Sequence, residues 1–265
     1  MIIIILIFNV NIILFLKKIC YNTNMKTAVI TGASGGIGSE IAITLAKQGY
    51  NLALIYNKHR SEINKLSKKL GATRILVFQC DLSDEKQVNN TFKSILKEFK
   101  TIDCLINTAG VSQFKQIQDV TNKDFEFIFN NNLKSTVFSI KNASKAMISQ
   151  KYGRIINISS IWGNVGASVE SLYSASKGAI NSLTLALAKE LAPSNITVNA
   201  IAPGLIDTKM NKSLSEDTIK EIVDYTPLGR IGTPQDIAEM VAFLCDDKAS
   251  FITGQIITID GGLTL

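Results

Sequence analysis

The chain has 265 residues, 46% hydrophobic and 19% charged, with a formal net charge of +6. That length suits one α/β domain with a sizeable core, and the mild basic balance, without a stripe of cations interleaved with aromatics, argues against nucleic acid as a partner. Cys20, Cys80, Cys104 and Cys245 show no Cys-x-x-Cys spacing and His59 is the one histidine, so no metal site is expected. Unpaired thiols of this kind suit a reducing cytoplasm.

Residues 1–24 stand apart. Met1 to Leu16 is almost wholly apolar, interrupted by Asn9 and Asn11, and Lys17 and Lys18 follow. The run is short for a membrane span, which needs about 20 residues. It also lacks the basic start and small-residue cleavage site of a secretory signal. The expected reading is an extension ahead of the domain, with the true start at Met25. The alternative is an N-terminal anchor, in which case Lys17 and Lys18 would hold the domain on the cytoplasmic side.

From Met25 onward short apolar runs alternate with amphipathic stretches. Strand candidates are Thr27–Thr31, Leu52–Tyr56, Ile75–Gln79, Cys104–Asn107, Arg154–Ser159, Thr197–Ala202 and Ile256–Asp260. Helix-like segments lie near 37–47, 60–70, 84–99, 124–150, 171–191 and 233–245. Asp84 and Thr233 read as helix starts, with Pro234 in the first turn. This alternation predicts one α/β domain over residues 25–265, a doubly wound sheet of seven parallel strands with helices on both faces. Cys80 and Cys104 sit in strand-like apolar runs and read as buried thiols. The stretch 205–230 breaks the rhythm, with Asp207, Lys209, Lys212 and Asp217 among few apolar residues. It reads as a mobile excursion over the site.

Gly32, Gly36 and Gly38 follow the first strand and open the first helix, the setting a phosphate-binding turn requires. Glycines let the backbone approach a pyrophosphate, and the helix N-terminus offers free N–H groups to it. An ordinary glycine-rich turn is the competing reading. After the second strand the sequence runs Ile55-Tyr56-Asn57-Lys58-His59-Arg60. No acid stands there to meet the ribose hydroxyls of NAD, and two cations would welcome a 2′-phosphate. This favours NADPH over NADH, unless Lys58 and Arg60 are only a solvated helix start.

Tyr173 and Lys177 are four residues apart in a helical stretch, and so share a face. A free tyrosine has a pKa of about 10, and a nearby ammonium is expected to lower it toward proton exchange at neutral pH. A Tyr-x-x-x-Lys pair is common on helices. Ser160, thirteen residues before Tyr173, and the glycine turn give this one its chemical context.

Taken in order, TGASGGIG (31–38), CDL (80–82), NTAG (107–110), NNNL (130–133), ISS (158–160), YSASK (173–177), APG (202–204) and ITGQIITIDGG (252–262) are highly specific. Over 25–265 the chain resembles the short-chain dehydrogenase/reductase family, and within it the β-ketoacyl-acyl-carrier-protein reductases. The resemblance implies a Rossmann-type fold, a homotetramer, and NADPH-dependent reduction of a ketone to an alcohol, with 3-oxoacyl-acyl-carrier-protein as substrate. It implies Tyr173 as the acid, Lys177 as its activator and a ribose ligand, Ser160 as the hydroxyl orienting the carbonyl, and Asn132 as the holder of a relay water. Gly32, Ser34, Gly35, Gly36, Ile37 and Gly38 match the pyrophosphate turn. Asn57, Lys58 and Arg60 stand where the adenosine ribose is read. Asp81 and Leu82 match the adenine contact, and Asn107, Ala109 and Gly110 the adenosine side. Pro203, Gly204, Ile206 and Thr208 match the segment around the nicotinamide carboxamide.

Three departures qualify the resemblance. Thr108 stands where asparagine is usual, with a small effect expected. Gly35 replaces an arginine that would touch phosphate. Of two basic residues that can dock an acidic carrier, Lys151 is present and the other position is Ser194, although Lys189 and Arg154 lie nearby in sequence. The run Ser159-Ser160-Ile161-Trp162-Gly163 also resembles a branch that reduces the 5-aminopentanone group on modified elongation factor P. There Trp162, the only tryptophan, would pack near the substrate entrance; the competing reading is a core or tetramer-contact tryptophan.

Overall fold

The computed structural model describes residues 25–71, 74–211 and 214–265. The extension at 1–24 with its anchor reading, Cys20 and Lys212 lie outside the described residues.

The strands are β1 (Thr27–Thr31), β2 (Asn51–Tyr56), β3 (Ile75–Gln79), β4 (Cys104–Asn107), β5 (Gly153–Ile158), β6 (Ile196–Pro203) and β7 (Ile256–Ile259). All pair in parallel, in the order β3-β2-β1-β4-β5-β6-β7. Each lies within one residue of its expected bounds. Chain order reverses between β1 and β4, and such a switch point opens a crevice at the carboxyl ends of the strands.

Between the strands run α1 (Gly36–Lys47), α2 (Arg60–Lys69), α3 (Glu85–Phe99), α4 (Asn122–Phe129), α5 (Ser135–Gln150), the single turn α6 (Trp162–Val165), α7 (Ser171–Leu191), α8 (Glu216–Tyr225) and α9 (Pro234–Cys245). Successive strand residues point to opposite faces, and two cores result. Ala28 and Ile30 of β1 pack with Ile41 and Leu45 of α1 and Ile237 and Val241 of α9. Val29 of the same strand packs with Phe92 and Ile95 of α3, Met147 of α5 and Leu191 of α7. Side chains of this size, fully buried, contribute roughly 1.5–3 kcal/mol each. Cys80, Cys104 and Cys245 are buried free thiols.

The two helix starts read from sequence are capped as expected. Asp84 accepts from the N–H groups of Lys86 and Gln87 at 2.9 and 3.2 Å. Thr233 and Asp236 form a reciprocal capping box around Pro234.

Three expectations need correction. The helix expected over 124–150 begins at Asn122 and is interrupted by a π-helical turn at Asn130–Lys134, a form that recurs at functional sites. The stretch 205–230 is not an irregular excursion throughout. It contains α8, capped by Ser215, whose Ile219, Ile222 and Val223 carry the apolar spacing that the surrounding charges obscured. Its first part is pinned by buried Ile206, bridged to Gly232. Third, Arg154 is unavailable to a carrier. It is 2% exposed at the amino end of β5, stacked on Tyr152 and reaching Asp247 at 3.4 Å. Among the described residues no helix is long and apolar enough to cross a membrane.

Candidate active site

The carboxyl ends of β1 and β4 meet in close contact. Gly32 has a φ of +62°, and a Cβ built on it would lie 2.8 Å from the Ala109 backbone. One on Gly38 would meet the Gly32 carbonyl oxygen at 2.5 Å and Thr108 Oγ1 at 2.8 Å. One on Gly36 would strike Thr208 Cγ2 at 2.9 Å. Thr108 donates a short hydrogen bond from Oγ1 to the Thr31 carbonyl, and its N–H donates to Thr31 Oγ1 at 3.1 Å. The unusual threonine of NTAG thus ties the glycine turn to β4. Gly35 is exposed at the start of α1, with Ser34 and Ile37 partly exposed beside it.

Around this cradle the other expected cofactor residues take their places. Asn57, Lys58 and Arg60 are exposed after β2, and neither cation has an acidic partner among the described residues. Asp81 is fixed by Ser83, whose N–H and hydroxyl reach its Oδ1 at 3.0 and 2.7 Å, while Leu82 is buried. Pro203 ends β6. Gly204 is so close to Asp260 that a Cβ would lie 2.7 Å from the aspartate Cβ. Lys209 spans to Glu62 of α2 at 3.3 Å. The segment 203–209 therefore runs from the carboxyl end of β6 across the glycine turn to α2.

The second half of the site is built on α7 and the end of β5. Lys177 is 4% exposed and donates to the Ile158 carbonyl at 2.9 Å. Its Nζ lies 5.6 Å from the Tyr173 ring centroid. Tyr173 and Ser160 share a hydrogen bond, and Ser160 Oγ also accepts from the Trp162 N–H at 3.2 Å. α6 presses on α7, where a Cβ on Gly163 would meet the Lys177 carbonyl carbon at 2.8 Å. Asn132 is fully buried. It exchanges hydrogen bonds of 2.8 and 2.9 Å with the Val111 backbone and donates to Ser176 Oγ at 3.0 Å. Gly110 lies between the halves, since a Cβ there would touch both Asn132 Oδ1 and Lys177 Nζ at 3.4 Å. The π turn is where Asn132 makes this bridge.

The electrostatics differ from expectation in one respect. Burial pushes Tyr173 up to about 12, the hydrogen bond with Ser160 opposes this, and the charge of Glu170 adds to it. A lowered phenol was expected from Lys177. Instead Lys177 spends its proton on the Ile158 carbonyl, and burial lowers its own pKa to about 8.

Sequence reasoning missed two contributors. Asn157 of β5 accepts from Asn107 at 2.9 Å and donates to Thr184 of α7 at 2.9 Å, tying β4 to the helix of Tyr173 and Lys177. Its signal was an asparagine inside an otherwise apolar strand. Glu170, directly before α7, is 8% exposed, and its signal was a lone acid three residues before Tyr173.

A doubly wound sheet with a glycine cradle at its switch point, a serine after β5 and a Tyr–Lys pair on α7 defines a class. Residues 32–264 match the family model described as enoyl-(acyl carrier protein) reductase, and the chain belongs to the short-chain dehydrogenase/reductase family. It is similar to the uncharacterized oxidoreductase YmfI of Bacillus subtilis, with 44% identity over 240 residues covering 89% of this chain and 98% of that protein. The 3-oxoacyl-(acyl-carrier-protein) reductase FabG of Staphylococcus aureus is 37% identical over 240 residues, covering 90% and 98%. The solved structure of YwfH, an NADPH-dependent reductase involved in bacilysin biosynthesis, aligns with a TM-score of 0.86 at 28% identity, covering 91% and 99%. The chain is an oxidoreductase of a family that uses a nicotinamide cofactor.

The buried ammonium makes stability depend on pH. Folded Lys177 releases its proton near 8, whereas an unfolded lysine does so near 10.4. Between those values the unfolded chain holds more protons, so this group's contribution to stability rises with pH. Below 8 the full penalty of a buried cation applies. Urea unfolding of wild type and Lys177→Met at pH 7.5 and 9.5 tests this. Wild type should gain roughly 2 kcal/mol relative to the variant at the higher pH; an unchanged difference would place the titration elsewhere.

Proposed function

We propose that this chain reduces a ketone to an alcohol with NADPH, on a substrate carried by another protein. The observation that carries the reading is the convergence of Ser160, Tyr173 and buried Lys177 beside a glycine cradle that a Cβ would fill. The reductase domain spans residues 25–265, with 1–24 an extension ahead of it, and the protein works in the cytoplasm.

The residues present fit the cofactor. The bare turn of Gly32, Ser34, Gly35, Gly36, Ile37 and Gly38 would hold the pyrophosphate at the N-terminus of α1. Asn57, Lys58 and Arg60 would receive the 2′-phosphate, Asp81 and Leu82 the adenine, and Asn107, Ala109 and Gly110 the adenosine side. Pro203, Gly204, Ile206 and Thr208 would border the nicotinamide carboxamide. When bound, the reduced nicotinamide supplies a hydride to the carbonyl carbon.

The chain's own groups manage the oxygen. Ser160 and Tyr173 present hydroxyls to the carbonyl oxygen and stabilise the charge that develops on it. With a pKa near 12, Tyr173 keeps its proton at neutral pH and yields it as that oxygen becomes strongly basic. Lys177, still largely cationic at pH 7, steadies the phenolate left behind. Asn132 anchors a water that returns the proton. The matched family description names an enoyl reductase and the FabG relative a ketone reductase; a hydroxyl pair aimed at an oxygen suits the ketone.

Two protein carriers fit. A 3-oxoacyl thioester on acyl carrier protein is supported by the FabG relatives and by exposed Lys151 and Lys189, which suit an acidic partner. A second reading, the 5-aminopentanone group on elongation factor P, is favoured by Glu170, a buried acid beside Tyr173, and by Ser194 in the place of one carrier-docking cation, with neighbouring Arg154 buried. NADPH oxidation with acetoacetyl-carrier thioester and with aminopentanone-modified elongation factor P separates them.

Tyr173→Phe should reduce turnover by far more than tenfold, a barrier rise above about 1.4 kcal/mol, with NADPH affinity nearly unchanged. A variant keeping a tenth of the rate would remove Tyr173 from the acid role. NADPH should bind more tightly than NADH, and Lys58→Glu with Arg60→Glu should narrow or reverse that preference in calorimetric titrations. Equal affinities in the parent would sink the 2′-phosphate assignment. We also propose a homotetramer, supported by Leu185 on α7, Ile148 on α5 and the fully exposed Phe251 and Leu265. Light scattering should give four times the chain mass; an active monomer at micromolar concentration would refute the tetramer.

A further inference from the structure

Glu170 has no part in the chemistry above, yet it stands one helical turn before Tyr173, a spacing that puts both on one face. It occupies the N-cap position of α7, but its carboxylate makes no capping hydrogen bond. The carboxylate has no hydrogen-bond or ion-pair partner among the described residues, although the residue is only 8% exposed. Two lysines tied to this part of the fold are already engaged. Lys115, whose N–H bonds the Val169 carbonyl at 2.6 Å, pairs with Asp124 at 2.6 Å. Lys177 is held on the Ile158 carbonyl. The Glu170 carboxylate oxygens are not among the fully buried unpartnered atoms, so the group keeps solvent access while the rest of the side chain is covered, and it is free to receive a cation. Burial raises its pKa, and its charge is felt at the Tyr173 phenol.

We propose that Glu170 is a specificity-determining residue that binds an ammonium group on the ketone substrate while Ser160 and Tyr173 hold the carbonyl oxygen. The substrate class is then a cationic ketone, with charge and carbonyl a short chain apart. This rests on the ketone-reductase reading and deepens its second form. The ammonium supplies the partner that the fold withholds, and it offsets the like charge that otherwise opposes phenolate formation at Tyr173. A neutral acyl chain would leave the Glu170 carboxylate without a counter-charge.

The test uses the full chain, NADPH and two matched probes: a methyl ketone ending in trimethylammonium three carbons from the carbonyl, and the same ketone ending in tert-butyl. Shape is shared and only charge differs. Wild type should show a kcat/KM ratio of at least about tenfold in favour of the cation. Glu170→Gln should bring the ratio close to one, and Glu170→Asp, which keeps the charge, should retain a preference. The ratio rather than the absolute rate carries the result, so a merely structural role for Glu170 would leave it unmoved. Equal kcat/KM values in wild type, or a preference that survives in Glu170→Gln, would overturn the proposal while leaving the reductase reading intact. If neither ketone oxidises NADPH, the reductase reading fails on its own. The fluorescence of Trp162, the only tryptophan, then decides by titration. Cation binding about tenfold tighter than the tert-butyl ketone and dependent on Glu170 supports the inference, and equal binding overturns it.

Discussion

The close approach of Gly32 and Gly38 to Thr108 and Ala109 is the constraint on which the rest of the site depends. β1 and β4 are neighbours in the sheet but not in the chain, and their carboxyl ends can meet only where side chains are missing. Two hydrogen bonds between Thr31 and Thr108 hold the meeting point. Once that contact is made, the start of α1 is bare and its N–H groups face the crevice. The chain leaving β4 passes through Gly110, which is small enough to admit both Asn132 and Lys177. A side chain at Gly32 or Gly38 would push the turn off the chain leaving β4. The contact is therefore structural and functional together: it closes the two cores over the sheet and opens the floor of the site.

From that floor outward, polar groups are buried at a cost and held by one another. Asn107, Asn157 and Thr184 form a ladder from β4 through β5 to α7. Asn132 clamps the Val111 backbone and reaches Ser176 on the same helix. Each such bond is worth only about 1 kcal/mol net, but an unmade one costs more. The ladder thus fixes α7 in one position relative to the glycine turn. Lys177 carries a cost of its own, since its ammonium is buried with one carbonyl for a partner. In the proposed reaction a phenolate at Tyr173 would offset that cost.

Most of this architecture is legible in the sequence, because strand and turn signals are local. The apolar runs place every strand within one residue, and Asp84 and Thr233-Pro234 mark helix starts by chemistry that needs no tertiary context. Ser160, Tyr173 and Lys177 come together because spacing on one helix and position at a strand end are also local facts. What escapes is decided by neighbours distant in sequence. The π turn accompanies Asn132 bonding a backbone twenty-one residues earlier. The fate of Arg154 depends on Asp247 and Tyr152 at the foot of the sheet. The Tyr173 pKa rises rather than falls because the phenol is buried, and Lys177 bonds the Ile158 carbonyl, a partner that helical spacing does not announce. α8 was hidden by its charges, although its three apolar residues keep helical spacing.

The two walls of the crevice follow different principles. The glycine side recognises by shape and backbone: bare turns, N–H groups at the start of α1 and exposed cations after β2. Such a surface suits a large polyanion and needs no side chain to be desolvated. The α7 side recognises by largely buried side chains, where water screens a charge less than at an open surface. Glu170 belongs to this second wall. A carboxylate so placed raises the cost of ionising Tyr173 whenever it is alone, so its retention opposes proton transfer unless the substrate brings a compensating charge. In the proposed role, Glu170 makes discrimination fall on the substrate and not on the nucleotide. One helix and its N-cap then carry both the proposed proton donor and the residue proposed to select its substrate.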